Sequence, residues 1–185
     1  MTTTESAMPT RFLPWAAATE ADWGALYAEH LPRVYNFFRY RVGAGPDAED
    51  LTGETFERAW RARHRYRRDL AGFGTWLFTI AQRLAIDHYR RRREHAPLEA
   101  AAGVAGGPTP EDLAVARSDA ERLSGLLERL PARERELVAL KFGAELTNRA
   151  IARLTGLSES NVGTILHRVL QGLRAEWFAE EGGSA

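Results

Sequence analysis

From Asp22 onward, apolar side chains return every three or four positions: Trp23, Leu26, Tyr27, Leu31, Val34, Tyr35, Phe38 and Val42. That period predicts an amphipathic helix with one buried face. GAGP at residues 43–46 ends it. Asp47 stands as the N-cap of a second helix, with more acids in the first turn, where the dipole favours them. In that helix Leu51, Thr55 and Ala59 form one row and Thr52, Phe56 and Trp60 the next, while Asp50, Gly53, Glu54 and Glu57 fall on the exposed side. Residues 61–74, with Asp69, Gly72 and Gly74, read as an irregular loop. Thr75 starts a third helix that runs out into Arg90–Arg93. Its core face holds Trp76, Leu77, Ile80, Ala81 and Leu84; Thr79, Gln82, Arg83, Ile86, Tyr89 and Arg90 share the outer face.

Residues 95–112 interrupt the pattern with three prolines, three glycines and many alanines, and so read as a linker. Stretched at ~3.3 Å per residue, such a linker reaches ~60 Å. Beyond it, residues 113–129 form one helix, and Leu130-Pro131 restarts the chain because proline is tolerated in a first helical turn. A helix over 131–142 ends at Gly143, and two more follow. Thr-, Ala- and Pro-rich residues 1–18 predict a disordered tail, and residues 177–185 a second tail. The expected fold class is all-α: two small helical domains, 19–94 and 113–176, joined by a flexible linker, with a helix-turn-helix in the C-terminal one.

That motif is TNRAIARLTGLSESNVGTILHRVL, residues 147–170. Ala152 supplies the small residue where two helices cross, and Gly156 the residue that tolerates positive φ in the tight turn. Ile151, Leu157, Val162 and Ile165 anchor both helices, and Ser158 caps the second. The second helix then presents Glu159, Ser160, Asn161, Gly163 and Thr164 to a major groove, with His167 and Arg168 nearer the backbone and Arg149 on the helix before it. Against this stands an ordinary helical hairpin that touches no DNA. Gly163 costs a helix about 1 kcal/mol relative to alanine, which close approach to DNA rationalises.

Total charge adds little, because 25 basic and 25 acidic residues cancel. Its distribution adds more. Residues 47–60 set five acids against Arg58, and residues 61–93 set ten arginines against Asp69 and Asp87. An acidic helix followed at once by a basic, aromatic segment suits two partners, a protein and a nucleic acid. Arg61, Arg63, Arg65, Arg67 and Arg68 surround Tyr66, with Phe73 and Trp76 following. Arginines hold phosphates and aromatic faces stack unpaired bases at ~1–3 kcal/mol each, a combination suited to opening DNA. The competing reading is a solvated arginine-rich loop with Phe73 and Trp76 as core anchors, and Tyr66 stands evenly between the two. With no cysteine there is no disulfide or thiol nucleophile, and the five histidines lack metal-ligand spacing, so no metal and no cofactor is expected. No catalytic constellation emerges. The expected setting is cytoplasmic, without membrane insertion.

DAEDLTGETFERAW at 47–60, TWLFTIAQRLAIDHYRRR at 75–92, and LERLPARERELVALKFG at 127–143 with LHRVLQGLR at 166–174, in this order, resemble a bacterial RNA polymerase sigma factor of the extracytoplasmic-function type, in the sigma-70 family. The resemblance covers most of the chain. It implies that residues 19–94 are region 2 and 113–176 region 4. It implies that Asp50, Leu51, Glu54, Thr55 and Phe56 dock on the β′ clamp of RNA polymerase core. Arg61, Arg65, Tyr66, Arg67 and Arg68, with Thr79, Gln82, Arg83, Ile86, Tyr89 and Arg90, would hold the −10 element, the loop catching a flipped base. Arg149, Ser158, Glu159, Ser160, Asn161, Gly163, Thr164, His167 and Arg168 would read the −35 element while region 4 sits on the β flap. An anti-sigma factor is a further implied partner. Ala150, Ile165 and Gly53 depart from the family's usual Glu, Arg and Gln. The alternative is a helix-turn-helix regulator that binds duplex operators without polymerase.

Overall fold

The computed structural model describes residues 20–67, 69–95 and 112–182. In the first unit α1 (Glu20–Val42), α2 (Pro46–Ala62) and α3 (Phe73–His95) pack together, with a short 3-10 turn at Arg63–Arg65. Most of the apolar stripe of α1 faces inward: Val34 and Phe38, joined by Phe37 from outside the stripe, are fully buried against Leu77, Phe78 and Leu84 of α3, while Tyr27 is exposed. Phe37 meets Phe38 and Phe78 edge to face at 5.1 and 5.7 Å, a preferred ring geometry. Both predicted rows of α2 point into this core, and Thr52 and Thr55 satisfy their hydroxyls on the carbonyls of Ala48 and Leu51.

Three local expectations change. The cap of α2 is Gly45, with Pro46 as its first residue; Asp47 lies inside the first turn. Proline suits that position because its missing N–H is one the helix leaves unpaired. The stretch 61–74 is only partly irregular, since α2 continues to Ala62, the 3-10 turn follows, and α3 begins at Phe73. The expected helix over 131–142 is an α segment, α5 (Ala132–Val138), that widens into a π turn at Ala139–Gly143. There the amide of Ala144 donates to the Ala139 carbonyl, five residues back.

The second unit consists of α4 (Asp112–Arg129), α5 with its π turn, α6 (Asn148–Thr155) and α7 (Glu159–Gly182). Helix α7 runs through the expected C-terminal tail as far as Gly182; the Arg122 guanidinium lies 4.2 Å from the Trp177 ring. The expected N-terminal tail and nearly all of the linker fall outside the described residues. Among the described residues no helix is long and apolar enough to cross a membrane.

The two units share one continuous core, in which Leu137, Leu140, Ile151 and Val162 join the first unit's phenylalanines. The contact runs mainly between α1 and the π turn. A methyl group at Gly143 would lie 2.8 Å from the Asn36 carbonyl oxygen and the Phe37 amide nitrogen, so only glycine lets the backbones meet this closely.

His30 is buried beside Phe73 and bonded through Nδ1 to the Leu26 carbonyl at 3.0 Å. Burial lowers its pKa from the ordinary 6.5, outweighing that bond and the pull of Glu29. His88 is lowered for the same first reason. Above pH 6.5 both folded and unfolded states are neutral at these sites; below it the unfolded chain binds protons that the native state refuses. Stability therefore falls as pH drops below 6.5. Thermal melts between pH 7.5 and 5.5 should show a declining Tm, and His30→Gln should make the decline shallower.

Candidate nucleic-acid interface

The acidic helix offers less surface than its sequence suggests. Leu51, Thr55 and Phe56 are buried, leaving Asp50 exposed and Glu54 half-buried as the outward members of the predicted polymerase set. Glu54 and Glu57 pair with Arg58 and Arg61 one turn on. Exposed pairs of this kind contribute about 0–1 kcal/mol and exchange readily for another partner. Asp47, Asp50, Leu51 and Glu54 line one wall of a cleft of about 440 Å³, and His88, Arg91 and Arg92 of α3 line the other. His88 stands 3.6 Å from Asp47.

In the following loop Tyr66 is a core residue, 6 % exposed. Its ring packs against Phe73 and Trp76, and its hydroxyl donates to the Ala71 carbonyl at 3.1 Å. The expected open face for a base is therefore absent in this conformation; Tyr66 supports the loop from beneath. The competition between burial and stacking is decided by the aromatic cluster, which also joins Trp23 to Trp60 and Phe73. Arg61 and Arg65 are exposed around it. Arg67 grips Asp69 through two bonds, at 3.0 and 2.9 Å, which raises its own pKa and lowers that of Asp69. Arg68 lies outside the described residues.

Two further loop features were not anticipated. The Arg63 guanidinium lies 4.0 Å from the Trp60 ring and donates to the Trp60 carbonyl. Leu70 is 71 % exposed at the loop's edge. The signal for Leu70 was present in the sequence, as an apolar residue flanked by Asp69 and a small-residue turn with no helical partner row.

On the outer face of α3, Arg83, Ile86 and Arg90 are exposed, while Thr79, Gln82 and Tyr89 are half-buried. Thr79 turns its hydroxyl back to the Thr75 carbonyl. Gln82 and Tyr89 face the second unit. Gln82 donates to Glu136 at 2.9 Å; the Tyr89 hydroxyl donates to the Arg41 carbonyl and lies 3.5 Å from an Arg135 nitrogen. Between α3 and the second unit lies a cleft of about 770 Å³, bordered by Ile86, Arg90, Arg133 and Thr155.

The helix-turn-helix is built as its residues require. Thr147 caps α6 by accepting from the Ala150 amide. Gly156 adopts φ 72°, the left-handed conformation of the turn. Ser158 caps α7 by accepting from the Asn161 amide at 3.2 Å. Ile151 and Val162 are fully buried anchors, and Ile165 packs on the core, away from the reading face. Glu159, Ser160, Asn161, Thr164, His167 and Arg168 are all exposed along one side of α7. Arg149 pairs with Glu159 at 3.5 Å and Arg168 with Glu134 at 2.6 Å. A methyl group at Gly163 would touch only the Asn148 side chain, at an ordinary 3.5 Å.

These elements coincide with matches to known proteins. Residues 26–95 match the family Sigma-70 region 2, and residues 120–173 match Sigma-70, region 4. The ECF RNA polymerase sigma factor BldN of Streptomyces coelicolor is 32 % identical over 173 residues, 91 % of this chain and 66 % of its own. The ECF sigma factor RpoE of Cereibacter sphaeroides is 29 % identical over 150 residues, 81 % of each chain. Among solved structures, CnrH in complex with the cytosolic domain of CnrY superposes with a TM-score of 0.68 at 25 % identity, over 89 % of this chain and 93 % of that one. RpoE in complex with NepR from Bartonella quintana, at 21 % identity and a TM-score of 0.66, shares the fold.

Gly156 is the local constraint of the reading unit. Gly156→Ala should lower the unfolding free energy by about 1–2 kcal/mol, the left-handed penalty of an L-residue. Denaturant melts check this.

Proposed function

The chain belongs to the extracytoplasmic-function sigma factors of the sigma-70 family, and from that membership we propose that it binds RNA polymerase core, recognises −10 and −35 promoter elements and directs initiation. The observation that carries this reading is the order of the two region matches on the two helical units, with the exposed helix-turn-helix in the second. Asp50 and Glu54 carry the contact to the polymerase clamp, and buried Leu51, Thr55 and Phe56 hold the helix that displays them. The arginines at 61, 65, 67 and 68, with the outer face of α3, bind the −10 strand. Guanidinium groups neutralise phosphate and release counterions, which makes this step salt-sensitive.

The −35 duplex is read by α7. Asn161 and Thr164 face base edges from its first two turns; Arg149, His167 and Arg168 steady the phosphates. Arg149 and Arg168 exchange their exposed carboxylates for phosphate on binding, at little cost. Polymerase anchoring keeps each DNA contact weak individually, because one attachment raises the effective concentration of the next. The chain works in the cytoplasm and supplies recognition, with no catalytic step of its own. CnrH and the Bartonella RpoE are each solved with a partner, CnrY for the one and the anti-sigma factor NepR for the other. A protein of the anti-sigma kind is the corresponding regulator here.

Purified chain added to core polymerase should give a specific transcript from a cognate promoter, and tight promoter binding only when core is present. Equal duplex binding by the chain alone would overturn the sigma reading. Asp50→Ala combined with Glu54→Ala should weaken core binding about tenfold, ~1.4 kcal/mol, with helical content retained because neither side chain is in the core. Core titration followed by fluorescence anisotropy measures it.

A further inference from the structure

The cleft of about 770 Å³ between α3 and the second unit is charged in one sense. Four arginines line it, Arg41, Arg90, Arg133 and Arg135, against one carboxylate, that of Glu136. The whole chain balances 25 bases with 25 acids, so this is a local concentration and not a reflection of composition. We propose that the cleft binds a nucleoside polyphosphate, its phosphates held by Arg90, Arg133 and Arg135 and its base lodged against Ile86 and Leu154.

Internal contacts leave much of this charge unanswered. Arg41 is 5 % exposed; one nitrogen donates to the Ala132 carbonyl at 2.9 Å, and the guanidinium lies 5.2 Å from the Tyr89 ring. Arg135 reaches the same tyrosine from the second unit, 3.5 Å from its hydroxyl, and donates to the carbonyls of Glu128 and Leu130. Two like charges thus meet at one ring, and each keeps a buried Nε with no partner among the described residues. Burial lowers the Arg41 pKa, and Arg135 lowers it further, against the pull of Glu136 and Tyr89. Glu136 is itself engaged by the Gln82 amide at 2.9 Å. Arg90 has a pair with Asp87 at 3.4 Å, of the exposed kind that exchanges readily. Arg133 is exposed and has no ion pair among the described residues. Bonds that tie the units together explain why Arg41 and Arg135 are there, but not Arg133 or the excess of charge. Uncompensated charge in a cleft is costly, and a bound anion relieves it.

The rest of the lining selects the class of anion. The planar fork of guanidinium matches phosphate with two bonds at once. A bare phosphate needs no apolar wall, yet Ile86, 54 % exposed, borders the cleft together with Leu137 and Leu154. Gln82 and Glu136 add an amide and a carboxylate, groups that pair with base edges. A cleft of this volume suits one small organic ligand. Gln82, Ile86, Tyr89 and Arg90 also belong to the proposed −10 face. To that extent the inference rests on the proposed function: nucleotide and −10 strand compete for α3.

Mant-labelled GTP and ATP, titrated into the full chain at low salt and followed by fluorescence anisotropy, should bind saturably. Inorganic triphosphate should displace the tighter of them only weakly. Arg133→Glu should weaken nucleotide binding about tenfold, ~1.4 kcal/mol. Arg174→Glu, the same charge change at an exposed site outside the cleft, should leave it nearly unchanged. Ile86→Ala should weaken binding of the nucleotide but not of triphosphate. Equal losses in the two arginine variants, or triphosphate that binds as tightly as nucleotide, overturn the site. So does a labelled single-stranded −10 oligonucleotide that binds where neither mononucleotide does, because the cleft then serves DNA alone. Nucleotide that binds without displacing that oligonucleotide overturns the placement on α3. Failure of the −10 reading is seen separately: the holoenzyme opens no promoter, while nucleotide still binds and Arg133→Glu still weakens it.

Discussion

Helix α1 is packed on two flanks at once, and the rest of the molecule follows from this. On one flank its phenylalanines build the three-helix core with α2 and α3; on the other its backbone lies against the π turn of the second unit. The second contact depends on a missing atom. Gly143 has no Cβ, and any other residue there would meet the carbonyl of Asn36. Once that approach is made, Arg33 and Arg41 are carried into reach of the carbonyls of Ala144, just past the π turn, and of Ala132, in the first turn of α5. Position along α1 then determines which face of α3 is covered.

Charge is arranged so that binding exchanges partners. On the exposed faces Arg58, Arg61, Arg67, Arg149 and Arg168 each have a carboxylate nearby. Such pairs keep a neutral chain from presenting a bare basic surface, and they hold weakly enough for phosphate to displace them. Arg41 is different: it is buried and bonded to a carbonyl, and among the described residues the Glu136 carboxylate acts on it only through space. Its Nε finds no partner, and desolvation lowers its pKa.

Much of this was legible from side-chain periodicity. Val34 and Phe38 of the α1 stripe, Leu51, Thr52, Thr55, Phe56 and Ala59 of α2, and Leu77, Ala81 and Leu84 of α3 are buried where the spacing puts them, whereas Tyr27 of the stripe is exposed. Gly156 and Ser158 do what their chemistry requires in the turn. What was not legible depends on partners distant in the chain. Arg33 and Arg41 read as polar positions on an amphipathic helix, because nothing local says which carbonyls they meet. Gly143 reads as a helix stop, although its essential neighbour is Asn36. At Tyr66 two physical demands, burial and base stacking, predict the same residue type, and only the cluster around Phe73 separates them. At Asp47 two capping signals compete, and Pro46 wins because its fixed φ suits the first helical position.

The interface between the units joins a continuous apolar core to polar features that work against it. The shared apolar core favours contact between the units through burial. Here the central polar group is a desolvated guanidinium with an unsatisfied nitrogen, and the linking turn contains Glu145 in a strained conformation. Both work against closure, since burying a charge without full pairing is costly and a left-handed non-glycine residue adds about 1–3 kcal/mol. Opposing them are the hydrogen bonds of Arg33 and the packing around Phe37 and Leu140.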